Sequence, residues 1–240
     1  MYINKIGAKI ERKNMKLLNK VLIFLCGKIK KIIFPQCCLI CSKLNNDIWC
    51  TECKKEILKD LNIRIENKNK DEYYYEKHIY FFTYKDKIRN LILDYKFNDK
   101  AYLYKIFSEI IIKNKKIYGI LKKYDIIIPV PIHKKRKRIR GYNQSELISN
   151  EISNKIKDIE YQNKVLQKVI NNKPQSALDK IQRKENVKNA YKVINKEKIK
   201  DKNIIIFDDI YTTGNTVNSC AKALKESGAR KIIILTIAKD

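Results

Sequence analysis

Residues 204 to 216 read IIIFDDIYTTGNT: four apolar positions, Ile204 to Phe207, then two carboxylates, then hydroxyls around a glycine. A short β-branched run of this kind is the pattern of a strand buried on both faces of a parallel sheet. Ligands of such sheets sit at the carboxyl ends of the strands, and that is where Asp208 and Asp209 fall. Beyond them, the backbone N–H groups of Thr212, Thr213, Gly214, Asn215 and Thr216 lead into a predicted helix at about 215–227, ended by Gly228. The free amides and dipole at its start favour an anion such as a phosphate monoester. Gly214 permits close approach, and the threonine hydroxyls add donors. A carboxylate repels phosphate, so the two acids must serve something attached to it. Ribose hydroxyls suit, because carboxylates accept hydrogen bonds from them in nucleotide-binding folds. The stretch therefore suits a sugar carrying a 5′-phosphate; the plainer alternative is that the acids cap the helix.

Working outward, HIYFFTY (78–84), DIIIPV (125–130) and KIIILTIA (231–238) read as further strands. Helical spacing appears at Ile88, Leu91, Ile92 and Tyr95, at Tyr102, Ile106 and Ile110, and over about 143–157. Strands alternating with helices predict an α/β fold with an open, mostly parallel sheet flanked by helices. Residues 61–76 are polar and lysine-rich and read as a solvated linker.

The chain has 44% apolar residues with only 6 Gly and 4 Pro, which excludes a collagenous or low-complexity protein. Its 53 basic side chains against 26 acidic ones give a net charge of +27, which points to polyanionic partners: nucleic acid, phosphorylated ligands or an anionic membrane surface. A sequence so rich in Lys, Ile and Asn also carries part of that charge as solvated surface. The charge concentrates after Pro129 and Pro131, where six of the seven residues from Lys134 to Arg140 are basic; such a run is either a solvated face or an anion site. His133 beside it is a hydrogen-bonded spacer or a phosphate ligand. The 15 tyrosines, among them Tyr73 to Tyr75 and Tyr142, could stack bases of a single strand or build the core.

Six of the seven cysteines precede residue 54. Cys38 and Cys41, then Cys50 and Cys53, form two C-x2-C pairs eight residues apart, a spacing that offers four thiolates to a closed, structural Zn²⁺ site. Disulfides are disfavoured without a secretory signal, and a redox C-x-x-C needs no second copy. Cys37 could replace Cys38. Cys26 and Cys220 lie in helical apolar patterns and read as core.

Residues 17–34, LLNKVLIFLCGKIKKIIF, are the only candidate targeting segment. The uninterrupted apolar stretch, Val21 to Cys26, is far short of the ~20 residues a spanning helix needs. Leu18, Leu22, Leu25, Ile29 and Ile32 recur instead at helical spacing, giving an amphipathic helix. The expectation is no transmembrane segment and a cytoplasmic protein, with docking at the inner membrane face as the alternative.

The acid pair and TTGNT loop resemble the phosphoribosyltransferase signature. Over about residues 20–240 the chain resembles, more narrowly, the ComF family of competence-associated, phosphoribosyltransferase-like proteins. The resemblance rests on the paired C-x2-C motifs behind a hydrophobic helix and Pro35, on YKDKIRNLILDYKF, on PVPIH followed by a basic run and RGYNQSEL, on QSALDKIQRKENVKNAY, and on FDDIYTTGNTVNSCAKALKESGA. It implies a type I phosphoribosyltransferase fold over 77–240, with an amphipathic helix and a four-cysteine zinc module over 1–60. It further implies that Asp208 and Asp209, as catalytic residues, hold the ribose hydroxyls of a phosphoribosyl pyrophosphate-like ligand with or beside Mg²⁺, while Thr212 to Thr216 hold the 5′-phosphate. By the same likeness Val130, Pro131 and His133 lie near the pyrophosphate, and Arg136, Arg138 and Arg140 belong to a mobile loop that closes over it. Lys134, Lys135 and Lys137 stand where the family often has Arg, and Lys lacks the bidentate fork. Gln175, Ser176, Arg183 and Asn186 are family-typical, with no role derivable from the residues. The implied function is DNA uptake in natural transformation, handling single-stranded DNA alongside other proteins of the uptake machinery; the alternative is a transferase acting on an unidentified acceptor.

Overall fold

The strands of the protein, described here from a computed structural model covering residues 36–169 and 190–240, are in chain order β1 (Arg64–Asn67), β2 (Lys77–Thr83), β3 (Ile126–Pro129), β4 (Glu160–Tyr161), β5 (Leu166–Lys168), β6 (Tyr191–Val193), β7 (Asn203–Tyr211) and β8 (Lys231–Lys239). The helices are α1 (Thr51–Lys59), α2 (Asp86–Phe97), α3 (Tyr104–Lys113), α4 (Lys115–Leu121), α5 (Lys134–Arg140), α6 (Gln144–Lys155) and α7 (Asn215–Lys225). The helix expected over 17–34, Cys26 and the segment holding Gln175, Ser176, Arg183 and Asn186 lie outside the described residues. The chain divides into two units, residues 1–53 and 54–240.

β7 occupies the middle of the sheet because from Ile204 to Phe207 it has nothing polar to expose. It pairs in parallel with β3 on one side, Ile126 opposite Ile204, and with β8 on the other, Asn203 opposite Lys231. Ile204 to Phe207, Ile126 to Ile128 and Ile232 to Leu235 are all buried, and each such side chain contributes about 1.5–3 kcal/mol by leaving water. The six-stranded order is β1-β2-β8-β7-β3-β4, parallel throughout except for the antiparallel β1–β2 edge. β5 and β6 form a separate antiparallel pair.

Residues 61–76 are not a linker: they contain β1, registered against β2 with Ile65 opposite Ile79. The β1 sequence RIEN is three-quarters polar, as suits a strand at a sheet edge. α2 buries Ile88, Leu91, Ile92 and Tyr95 as its spacing predicts. The next pattern is broken by a 3₁₀ turn, Ala101–Leu103, which shifts the register and leaves Tyr102 at the surface while Ile106 and Ile110 are buried. Asn114 then caps α4, accepting from the Ile117 N–H at 3.0 Å. Cys220 is fully buried on α7, as core. The basic run from Lys134 to Arg140 is a helix, not a loop, ended by Gly141 in the left-handed region at φ 81°. Among the described residues no helix is long and apolar enough to cross a membrane.

Candidate functional site

β7 carries the acids out of the core and orients them differently, since successive side chains point to opposite faces. Asp209 is buried and ion-paired with Lys96, Nζ to Oδ1 2.9 Å. Asp208 is half-buried; its Oδ1 accepts from the Asp209 N–H at 2.9 Å and from Ser145 Oγ at 3.3 Å. Burial, and then the neighbouring Asp209 carboxylate, push Asp208 up to about 7 against the lowering influence of Lys96 and the two donors. Two adjacent carboxylates, one of them pushed toward its neutral form by burial and by the other, could hold a cation or accept hydrogen bonds from hydroxyls.

Two family-like segments, whose individual roles were not legible in the sequence, hold this pair. The last turn of α2 carries Lys96, placing the ammonium against Asp209. RGYNQS, residues 140–145, wraps the other side. Buried Asn143 donates from Nδ2 to the Val130 carbonyl at 3.0 Å and accepts from the Ser145 N–H at 3.0 Å, capping α6. Ser145 is thereby turned toward Asp208. The Tyr95 hydroxyl donates to the Gln144 carbonyl at 2.8 Å, and the Tyr142 hydroxyl bonds the Tyr95 carbonyl. The available signal was a dense polar run, Tyr142 to Ser145, inside a segment otherwise read as a helix start.

The phosphate-type loop follows. Thr212, Thr213, Asn215 and Thr216 are exposed, and Gly214 is buried. Gly214 is the N-cap residue of α7, with φ 76° and no side-chain cap, so the first amides of α7 have no side chain bonded from that cap. The acids do not cap this helix: they lie on β7, where Asp209 is paired with Lys96. Gly214 has a structural reason of its own to be glycine. A Cβ there would stand 2.2 Å from the Tyr211 Oη. Tyr211 is fixed in turn by a 2.9 Å hydroxyl contact with Tyr75 and by stacking on His78 at 4.1 Å.

On the other flank Val130 is buried, its N–H bonded to the Phe207 carbonyl and its own carbonyl to Asn143, so it anchors the turn. Pro131 follows, half-buried. His133 caps α5, Nδ1 accepting from the Lys135 N–H at 3.2 Å. Arg138 is exposed, whereas Arg136 and Arg140 line a cavity of about 410 Å³ together with Lys96, Phe97 and Tyr142. Arg140 lies over the Phe97 ring at 4.8 Å and donates to Gln144 Oε1 at 2.6 Å. Lys96 links this cavity to the acids, since it lines the one and pairs with Asp209 of the other.

The sequence reading also missed the β5–β6 pair. Tyr191 on β6 lies beside Thr216, and β6 packs on α7. Lys168 on β5 lies within electrostatic reach of Asp208 and Arg136; burial and then Arg136 lower its ammonium from its ordinary value. These two strands are too short to carry a periodic signal.

In the 1–53 unit, the metal-ligating atoms of Cys38, Cys41, Cys50 and Cys53 all lie within 4.8 Å of one another, and Cys41 and Cys50 Sγ are 3.8 Å apart. It is Cys38, not Cys37, that joins this group. Burial raises the Cys38 thiol, but the N–H groups of Cys41, Cys50 and Ile40 outweigh it and bring it down to about 6. Four sulfurs this close could hold a metal ion.

Residues 143–240 match the family described as the phosphoribosyl transferase domain. The chain is 28% identical over 174 residues to "Competence protein F" of Haemophilus influenzae, covering 71% of this chain and 76% of that protein. It is 23% identical over 230 residues to "Competence protein ComFC" of Streptococcus pneumoniae, covering 90% and 98%. An adenine phosphoribosyltransferase structure from Thermoanaerobacter pseudethanolicus aligns at 14% identity over 78% of this chain and 99% of its own, with a TM-score of 0.39; the fold assignment rests on the strand order and the domain match instead. With its motifs in order from the paired C-x2-C to the TTGNT loop, the chain is similar to the ComF competence proteins and carries a phosphoribosyl transferase domain match over residues 143–240.

Proposed function

We propose that this protein binds a 5-phosphoribosyl ligand of the phosphoribosyl pyrophosphate kind and acts in DNA uptake, handling single-stranded DNA in the cytoplasm. The observation that carries the reading is the placement of the acid pair of β7 beside a helix start with no side-chain cap. That arrangement gives separate seats to sugar hydroxyls and to a phosphate. Asp208 and Asp209 accept from the ribose hydroxyls, and the amides from Asn215 onward take the 5′-phosphate with the Thr212, Thr213 and Thr216 hydroxyls. Arg136 and Arg140, on the 410 Å³ cavity, offer planar donors to a pyrophosphate. The acids' all-oxygen donor set fits Mg²⁺, which when bound neutralises phosphate charge. The Cys38, Cys41, Cys50 and Cys53 set fits a structural Zn²⁺, with every position filled by protein.

Names of relatives supply the physiological half, since both curated relatives above are competence proteins. A net charge of +27 supports binding to a polyanion. The test pairs two titrations. Calorimetry with phosphoribosyl pyrophosphate and Mg²⁺ is expected to show binding that weakens at least tenfold in Asp208→Asn/Asp209→Asn. Anisotropy of a labelled oligothymidylate is expected to show affinity falling linearly with the logarithm of salt concentration. Absence of phosphoribosyl pyrophosphate binding by the wild type overturns the first half, and salt-independent oligonucleotide binding the second.

A second reading, an active transferase, is favoured by the cavity itself, which is lined by Phe97 and Tyr142, reaches the acids through Lys96 and leaves room for an acceptor. Pyrophosphate release on adding candidate nucleobases tests it.

A further inference from the structure

The segment joining β1 to β2 carries Tyr73, Tyr74 and Tyr75, and it opens onto a second cavity, of about 350 Å³. That size lies in the range of small-ligand sites, ~300–1,000 Å³. The lining holds four cations, Lys70, Lys225, Arg230 and Lys231, against one carboxylate, Glu76. The cavity stands at the amino end of β8, where Lys231 pairs with Asn203, whereas Asp208 pairs with Thr236 five residues on. At ~3.3 Å per residue the two sites are about 17 Å apart along the strands.

The tyrosines are presented, not merely exposed. Tyr75 is buried and anchors the segment through its hydroxyl contact with Tyr211. Tyr73 packs edge-on to it, ring centroids 5.3 Å apart. Tyr74 is 41% exposed, with Lys222 Nζ 5.8 Å from its ring centre. Its backbone N–H donates to Asn218 Oδ1 at 2.9 Å, and Asn218 Nδ2 donates to the Glu72 carbonyl at 3.4 Å, so α7 holds the segment in place. A fixed aromatic face ringed by unbalanced positive charge has the chemistry of a stacked base with its phosphate alongside. An acidic peptide would satisfy the charge but leave the ring faces unused.

We infer that this cavity seats one nucleotide unit of a single nucleic-acid strand, its base stacked on Tyr74 and its phosphate met by Lys231, Arg230 and Lys70. The inference rests on the single-strand half of the proposed function and assigns it a place apart from the acid pair.

The experiment uses the full-length protein and a labelled oligothymidylate, with thymidine monophosphate as competitor. Tyr74→Ala is expected to weaken binding roughly 5- to 150-fold, the range for losing one base–aromatic stack. Lys231→Ala is expected to lower the salt slope by about 0.7, one phosphate contact on a single strand. Ultraviolet crosslinking of the wild type is expected to mark Tyr73 or Tyr74. If the oligonucleotide binds but both variants match the wild type and the crosslinks fall on α5, this inference is overturned while DNA handling stands. Failure of the wild type to bind any oligonucleotide overturns both. Monophosphate binding as tight as the strand overturns the strand as occupant.

Discussion

Gly214→Ala tests whether the phosphate-type loop is shaped by Tyr211. The added Cβ would lie 2.2 Å from Tyr211 Oη, 2.5 Å from Cζ and 3.0 Å from Cε2. A side chain's far end can often move aside, but this ring cannot do so freely: it is 5% exposed, stacked on His78 and bonded to the Tyr75 hydroxyl. The backbone at φ 76° adds a left-handed penalty of ~1–2 kcal/mol for a residue with a Cβ. Displacing the ring and leaving the buried Tyr75 hydroxyl without its partner adds ~1–3 kcal/mol. The expected loss is therefore about 2–5 kcal/mol, read by urea unfolding followed by circular dichroism. Repeating the substitution in a Tyr211→Ala background removes the clash but keeps the backbone penalty, so the cost should fall to about 1–2 kcal/mol. Equal costs in the two backgrounds, or a cost under about 0.5 kcal/mol in the wild type, would refute the reasoning.

Three further outcomes follow from other parts of the molecule. If the four cysteines hold Zn²⁺, chelation should red-shift the emission of Trp49, the single tryptophan, which is buried beside Cys50; Cys53→Ser should show the shifted spectrum without chelator, and unchanged emission would argue against a metal-stapled unit. Lys96→Ala removes the cation from a 2.9 Å pair whose side chains are 16% and 12% exposed, and should cost about 3–5 kcal/mol in thermal melts, less in saturating Mg²⁺ than without it. Burial alone would raise Glu66, but Lys239 at 2.6 Å, Lys68 at 2.8 Å and Tyr80 at 3.0 Å hold it at about 2. Because its folded value is depressed, it stabilises above its unfolded value of 4.5 and that contribution fades as pH falls toward 2. The stability gap between wild type and Glu66→Gln should close over that window in denaturant titrations; a gap independent of pH would contradict this.

The sequence alone determined the strands that lie deepest and the chemistry at their ends. Ile204 to Phe207 could belong only to a strand covered on both faces, and the acids and hydroxyls after it could fall only at the carboxyl edge of such a sheet. The paired C-x2-C motifs likewise specified a four-sulfur group, because the spacing is itself the local geometry. What the tertiary structure decided involves contacts between residues far apart in the chain. Lys96 is an ordinary surface lysine until α2 brings it to Asp209, 113 positions later in the numbering. Ser145 reaches Asp208 only because Asn143 ties its turn to Val130. That a Cβ at Gly214 would meet the Tyr211 ring is visible only once the two are brought together. β1 and β4 to β6 are too short and too polar to announce themselves, and form because a neighbouring strand or helix already offers the partners. Local pattern reports how a residue relates to its own backbone period, whereas cross-chain pairing depends on which surfaces meet, and that is settled only when the sheet assembles.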